Sequence, residues 1–187
     1  MESATMHHSR KRPEKSESQE DNLLLTPFHI RLIRALRAEG TAFILIGGHA
    51  ALVYGSERTT GDMDLLVKPD KINGEKIIRA FRFLDLDIGD LVPEDFEQNL
   101  VLGFGLEPDG VDIINYLKGS SYSEAAANAG IVEPEPGMQI PILDARDLLK
   151  EKRLLQRQGL KGLSDQMDIL SLEAYLNDKN PPNHRNQ

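Results

Sequence analysis

The chain has 187 residues, a formal net charge of −8 from 22 basic and 30 acidic side chains, and no cysteine. That length suits one domain with extensions. The acidic balance argues against a general nucleic-acid binder, which needs a basic face for phosphates. The missing cysteine excludes disulfides, thiolate metal sites and a cysteine nucleophile. Any metal must then sit on oxygen or histidine, and carboxylates favour a hard cation such as magnesium. No run approaches the roughly 18–20 apolar residues of a membrane span. The first residues hold no apolar signal core. No membrane partner is therefore expected, and the expected compartment is the cytoplasm.

Residues 1–22 are polar and charged without periodicity and read as a disordered tail. His7 and His8 within it would bind a metal only weakly. The pair Thr26–Pro27 reads as the N-cap and first position of a helix. Phe28, Leu32, Ile33 and Leu36 continue it at helical spacing, and Gly40 stops it. "AFILI" (42–46) reads as a buried strand, "HAALVYG" (49–55) as a short helix and "MDLLV" (63–67) as a second strand. Residues 71–84 predict a helix with Ile72, Ile77, Ile78, Phe81 and Leu84 facing inward. "LVLGFGL" (100–106) and "GVDIINYL" (110–117) predict two strands around the turn "EPDG". A short strand near 138–143 and helices over about 144–158 and 163–177 complete the pattern. Residues 179–187 read as a second tail. The expected fold is a compact α/β (α+β) domain over 23–178.

The informative stretch is "FILIGGHAALVYGSERTTGDMDLLV", residues 43–67. It lacks the Gly-Lys-Ser/Thr of a P-loop, the G-x-G-x-x-G of a dinucleotide fingerprint and the G-x-S-x-G of a nucleophile elbow. What remains is a strand, a double glycine, a short helix and a D-x-D. Gly47 and Gly48 after a strand let backbone N–H groups approach a ligand, and phosphate suits such a place. Asp62 and Asp64, two apart, point to one face of a strand about 6.5–7 Å apart. At an effective dielectric of 20 they repel by roughly 2 kcal/mol. A divalent cation between them offsets that repulsion. On the opposite side Met63, Leu65 and Val67 can face the core, while Leu66 continues the aspartate side. Asp112, flanked by apolar residues, is costly to bury unless paired or metal-bound; otherwise it opens an edge strand and faces water.

An apolar strand, Gly-Gly, a gap of thirteen positions, D-x-D and a later carboxylate together resemble the DNA polymerase β-like nucleotidyltransferases. The string "IGGHAALVYGSERTTGDMDLLV" is similar to their stand-alone branch, which includes the abortive-infection nucleotidyltransferase toxins of type IV toxin–antitoxin systems. The resemblance implies a mixed β-sheet flanked by helices. It implies Gly47 and Gly48 on a triphosphate, and Asp62 and Asp64 on magnesium or manganese. Asp112 would be the third carboxylate, helping to activate an attacking hydroxyl. It implies an NTP as donor and a hydroxyl acceptor on RNA, protein or a small molecule, with a partner regulator protein in the toxin–antitoxin case. Related C-terminal helices often place a basic residue before an aspartate; here Ser164 precedes Asp165.

Other side chains have two readings each. Arg58 could fork onto a phosphate or pair with Glu57 or Asp62. Thr59 and Thr60 could bind phosphate or shape the turn, and His49 could touch a base or phosphate or satisfy the helix start. On a wheel of 100° per residue, Lys152 falls among Leu148, Leu149 and Leu155. It then needs an anionic partner, either a triphosphate or a catalytic aspartate, or an exit to solvent. Arg146, Lys150, Arg153 and Arg157 form a separate outer stripe, either solvated or facing an RNA or protein partner. Two rival functions stand beside the transferase: a non-catalytic nucleotide-binding or toxin–antitoxin interaction module on the same fold, and a metal-dependent phosphodiesterase.

Overall fold

A computed structural model describes residues 23–179. The tail readings for 1–22 and 180–187, with His7 and His8, lie outside the described residues. Helix α1 spans Pro27–Ala38, with Thr26 as N-cap. Thr26 Oγ1 accepts the His29 N–H (3.2 Å), and His29 Nδ1 accepts the Thr26 N–H (3.3 Å). That leaves His29 Nε2 to donate to the Gly110 carbonyl (3.1 Å). Strand β1 is Phe43–Ile46, α2 is Gly47–Val53 and β2 is Met63–Val67. Helix α3 is Lys71–Phe83. Strands β3 (Val101–Phe104) and β4 (Val111–Ile114) form the expected hairpin. Then come α4 (Tyr122–Asn128), β5 (Gly130–Val132), β6 (Ile140–Ile142), α5 (Ala145–Leu155) and α6 (Gly159–Lys179). No helix among the described residues is long and apolar enough to cross a membrane.

The six strands form one mixed sheet in the order β3-β4-β2-β1-β6-β5. β2 runs antiparallel to β1 and parallel to β4. Register sorts the side chains onto two faces. Leu45, Met63, Leu65, Val111 and Ile113 share one face, and all are buried. The helix α3 packs there, with its Phe81 ring 4.8 Å from that of Phe104. Ile46, Asp64, Asp112 and Ile114 share the other face, which borders α5. The mixed α/β fold is therefore as expected.

Several local expectations need correction. Strand β2 starts at Met63, so Asp62 stands in the bend before it, exposed, and not on the strand. Leu66 is as buried as Leu65, because the aspartate face is covered beyond Asp64. Ile72 is 68% exposed and Leu84 half-buried; Asn73 and Gly74 take the inner positions of α3's first turn. Asn73 fits there because its side chain bonds the Ala42 N–H and the Ala42 and Lys68 carbonyls. Phe96 packs against Gly74, which leaves no room for a larger residue. Helix α4, strand β5 and a 3-10 turn at Pro93–Glu97 were not expected. α6 also runs two residues past the expected end, through Lys179.

Buried Asn115 ties this end of the sheet together. Its Oδ1 accepts the Leu100 N–H (2.8 Å), and its Nδ2 donates to the carbonyls of Phe96 (2.9 Å) and Gln98 (2.6 Å). Asn115→Ala is expected to cost about 2–3 kcal/mol, because it removes three hydrogen bonds at once and leaves the Phe96 carbonyl buried without its partner. Urea denaturation would measure this, and a loss within error of zero would contradict the assigned role.

Candidate functional site

The parallel pairing of β2 with β4 sets Asp64 directly opposite Asp112. β4 is an interior strand, flanked by β3 and β2, so Asp112 does not open an edge facing water. Beside them is a cavity of about 360 Å³. Gly47, Gly48, Arg58, Thr60, Asp62, Asp64, Asp112 and Lys152 all line it. Eight residues spread over more than a hundred positions thus meet in one place.

The double glycine makes room for carboxylate and hydroxyl. Gly47 sits at φ +66°, a conformation that other residues rarely adopt. A Cβ there would collide with the Asp64 carboxylate. A Cβ on Gly48 would collide with Thr60 and with the Arg58 guanidinium. The glycines therefore let Asp64, Thr60 and Arg58 lie against the start of α2. Asp62 lies over Gly110 in the same way, at the entry to β4. His49 is buried with its ring nitrogens 3.1 Å from the Asp62 carbonyl and 3.2 Å from that of Leu24. Its contacts are with the chain itself, as the helix-start reading expects.

Arg58 and Lys152 have partners that the sequence did not suggest. Arg58 Nε and Nη2 each donate to Asp168 at 2.8 Å, a two-pronged bond. Lys152 Nζ lies 2.9 Å from Asp165 and 2.8 Å from Asp168. Ser56 also donates to Asp168 (2.8 Å). Lys152 does point inward, but its ammonium is neutralised by α6 and not by Asp62, Asp64 or Asp112. Burial pushes Asp168 upward, yet the bonds from Arg58 and the charge of Lys152 outweigh it and hold the carboxyl below its ordinary range. Arg157 departs from the outer stripe. α5 ends at Leu155, and Gln156 turns left-handed at φ +48°. The guanidinium of Arg157 is thereby swung onto Asp165 and into the cavity lining.

Sequence reasoning missed Glu107, Lys118, Arg157 and Lys161 as lining residues. Lys118 and Lys161 are exposed, and among the described residues neither has a carboxylate within salt-bridge distance. The cavity is thus divided. Its sheet side carries Asp62, Asp64 and Asp112, and its helical side carries Lys152, Arg157 and Lys161.

The acidic side is under electrostatic load. Burial, and then repulsion from Asp112, raises Asp64 to about 6; Lys152, the Gly48 N–H and Arg157 oppose the rise. Burial and then Asp62 raise Asp112, against Lys161. The donors are all oxygen, and the Asp64–Asp112 pair is of the kind that a hard divalent cation would relieve. Asp64 and Asp112 are the groups that could hold such an ion, with Asp62 at the strand entry. Among the described residues no three His, Asp or Glu side chains already converge as a ligand group. Neither a family model nor a curated protein matches the chain.

Asp64 carries a pH prediction. Its folded value is raised, so its contribution to stability is fully present below the ordinary 3.8 and is lost as pH climbs through about 6. In metal-free buffer Asp64→Asn should be more stable than wild type at pH 7.5, by about 2–3 kcal/mol. The gain should vanish near pH 4. Thermal melts at both pH values measure it, and a variant that is less stable at pH 7.5 would contradict the load on Asp64.

Proposed function

We propose that the chain is a metal-dependent nucleotidyltransferase, moving an NMP group from an NTP to a hydroxyl of an RNA, protein or small-molecule acceptor. The observation that carries this reading is the Asp64–Asp112 register pair in a cavity that also presents Lys118 and Lys161, unpaired among the described residues. The D-x-D and Gly-Gly pattern and its resemblance to the polymerase β-like enzymes support it. A cavity of about 360 Å³ lies within the usual range for small-molecule sites.

Asp64 and Asp112, with Asp62 at the strand entry, would hold a magnesium or manganese ion, which when bound would supply charge neutralisation at the reacting phosphate. The chain's own groups do the rest. Lys161 and Lys118 receive the triphosphate, because neither is paired with a carboxylate among the described residues, while Arg157, bonded to Asp165, borders them. Lys152 and Arg58 act behind them, fixing the wall through Asp165 and Asp168. The acceptor hydroxyl forms a bond to the α-phosphorus as the bond to pyrophosphate breaks. Asp112, half-buried and raised in its proton affinity, takes the hydroxyl proton.

The non-catalytic nucleotide-binding or toxin–antitoxin interaction module keeps one observation in its favour. Arg58 and Lys152, two of the expected triphosphate contacts, are already spent on Asp165 and Asp168.

The full chain, incubated with α-labelled NTPs, magnesium and a cell extract, should transfer label to an acceptor. Asp64→Ala should reduce transfer at least about 100-fold, and Lys161→Ala should raise the NTP concentration needed about 10-fold. Equal labelling by wild type and Asp64→Ala would sink the proposal. NTP binding without turnover would favour the interaction module.

A further inference from the structure

We propose that α6 is a self-association surface, on which a second copy of this chain docks through its own α6. This does not depend on the catalytic reading. Helix α6 is built inside out. Its inner face holds the buried carboxylates Asp165 and Asp168 together with Leu172. Its outer face shows Leu160 (84% exposed), Leu163 (57%), Met167 (48%) and Leu170 (66%) to solvent. Ala174, also exposed, continues the same line. At 100° per residue these five positions cluster opposite Asp165 and Leu172. Their spacing, alternately three and four residues, is that of a coiled-coil seam. A single exposed leucine is ordinary; a contiguous stripe over four turns marks an interaction surface.

Three observations select a second copy as the occupant. The stripe is complementary to itself about Met167. In an antiparallel pair related by a two-fold axis, Leu160 meets the small Ala174, Leu163 meets Leu170, and Met167 meets its own copy. Charge permits the approach. Between Leu160 and Ala174 the seam is flanked by Ser164, Gln166, Ser171 and Glu173, and Glu173 is already neutralised by Arg153 at 2.6 Å. On α6 itself the stretch between Leu160 and Ala174 thus sets no unpaired carboxylate beside the seam, while Glu57 and Asp178 stand in the groove next to it. The area also suffices. Two such helices with their flanks remove on the order of 1,200 Å² from water, the lower bound of stable interfaces. A groove of about 610 Å³ beside the stripe, with Tyr54 and Tyr175 on its walls, gives the incoming side chains somewhere to seat.

The test uses the full chain. Sedimentation should give twice the chain mass in the micromolar range. Leu163→Glu combined with Leu170→Glu should weaken the dimer at least about 100-fold. Ile72→Glu, at an exposed apolar position on α3, should leave it intact. Because the chain has no cysteine, a single introduced one reports geometry cleanly. Met167→Cys should oxidise to a covalent dimer. Leu160→Cys should not couple to itself but should couple to Ala174→Cys. This holds even if the double glutamate variant misfolds, which circular dichroism would reveal. A wild type that stays monomeric, or a dimer in which Met167→Cys does not cross-link, would overturn the proposal.

Discussion

The constraint on which the site depends is the register of β2 against β4. Met63, Leu65, Val111 and Ile113 must all face α3, because each is fully or almost fully buried. A slip of one residue would turn them to the other face and expose the core. The alternation that builds the core therefore also fixes Asp64 opposite Asp112 on the reverse face. Neighbouring strands lie about 4.8 Å apart, so two charged carboxylates at that spacing would repel by about 3 kcal/mol at an effective dielectric of 20. Burial first, and then this repulsion, raise the proton affinity of Asp64. The sheet accepts a cost at one point that a bound cation would remove.

The surrounding elements hold that point in place. Gly47 and Gly48 bring α2 up against Asp64 and Thr60, where any larger residue would push it away. Asp168 gathers Ser56 and Arg58 from the loop after α2 and Lys152 from α5. Such a buried ion cluster adds little net stability compared with an apolar packing, but removing one member leaves the others stranded. Its effect is positional: it sets the helical wall at a defined distance from the carboxylates. α6 turns Asp165, Asp168 and Leu172 inward and leaves Leu160, Leu163, Met167 and Leu170 on its outer face. One helix thereby links the wall of the cavity to the surface proposed for docking.

How much of this was legible in the sequence follows from the range of each interaction. α1, β1 and β2 were readable because a cap, an apolar run and a D-x-D are local signals. Asp112 was readable as a buried carboxylate in need of company, and its neighbour is indeed Asp64. The partners of Arg58 and Lys152 were not readable, since Asp168 lies 110 residues from Arg58 and helical periodicity does not say which helix faces which. Arg157 was misplaced because a wheel assumes that the helix continues, and Gln156 ends it. Ile72 was assigned inward by its apolarity, while the inner position went to Asn73, whose hydrogen bonds only the tertiary structure supplies. Lys118 and Lys161 sit in no pattern at all and enter the site only through topology.

The proposed transferase needs Asp64 and Asp112 to seat a hard divalent cation. Titration of the chain with manganese, followed by the loss of free-ion electron paramagnetic resonance signal with and without a non-hydrolysable NTP analogue, tests it directly. Saturable binding to wild type, tightened by the analogue, is expected, with its loss in Asp64→Asn and in Asp112→Asn while the fold stays intact by circular dichroism. Binding that is unchanged in Asp64→Asn, or no binding to wild type even with the analogue present, would contradict it.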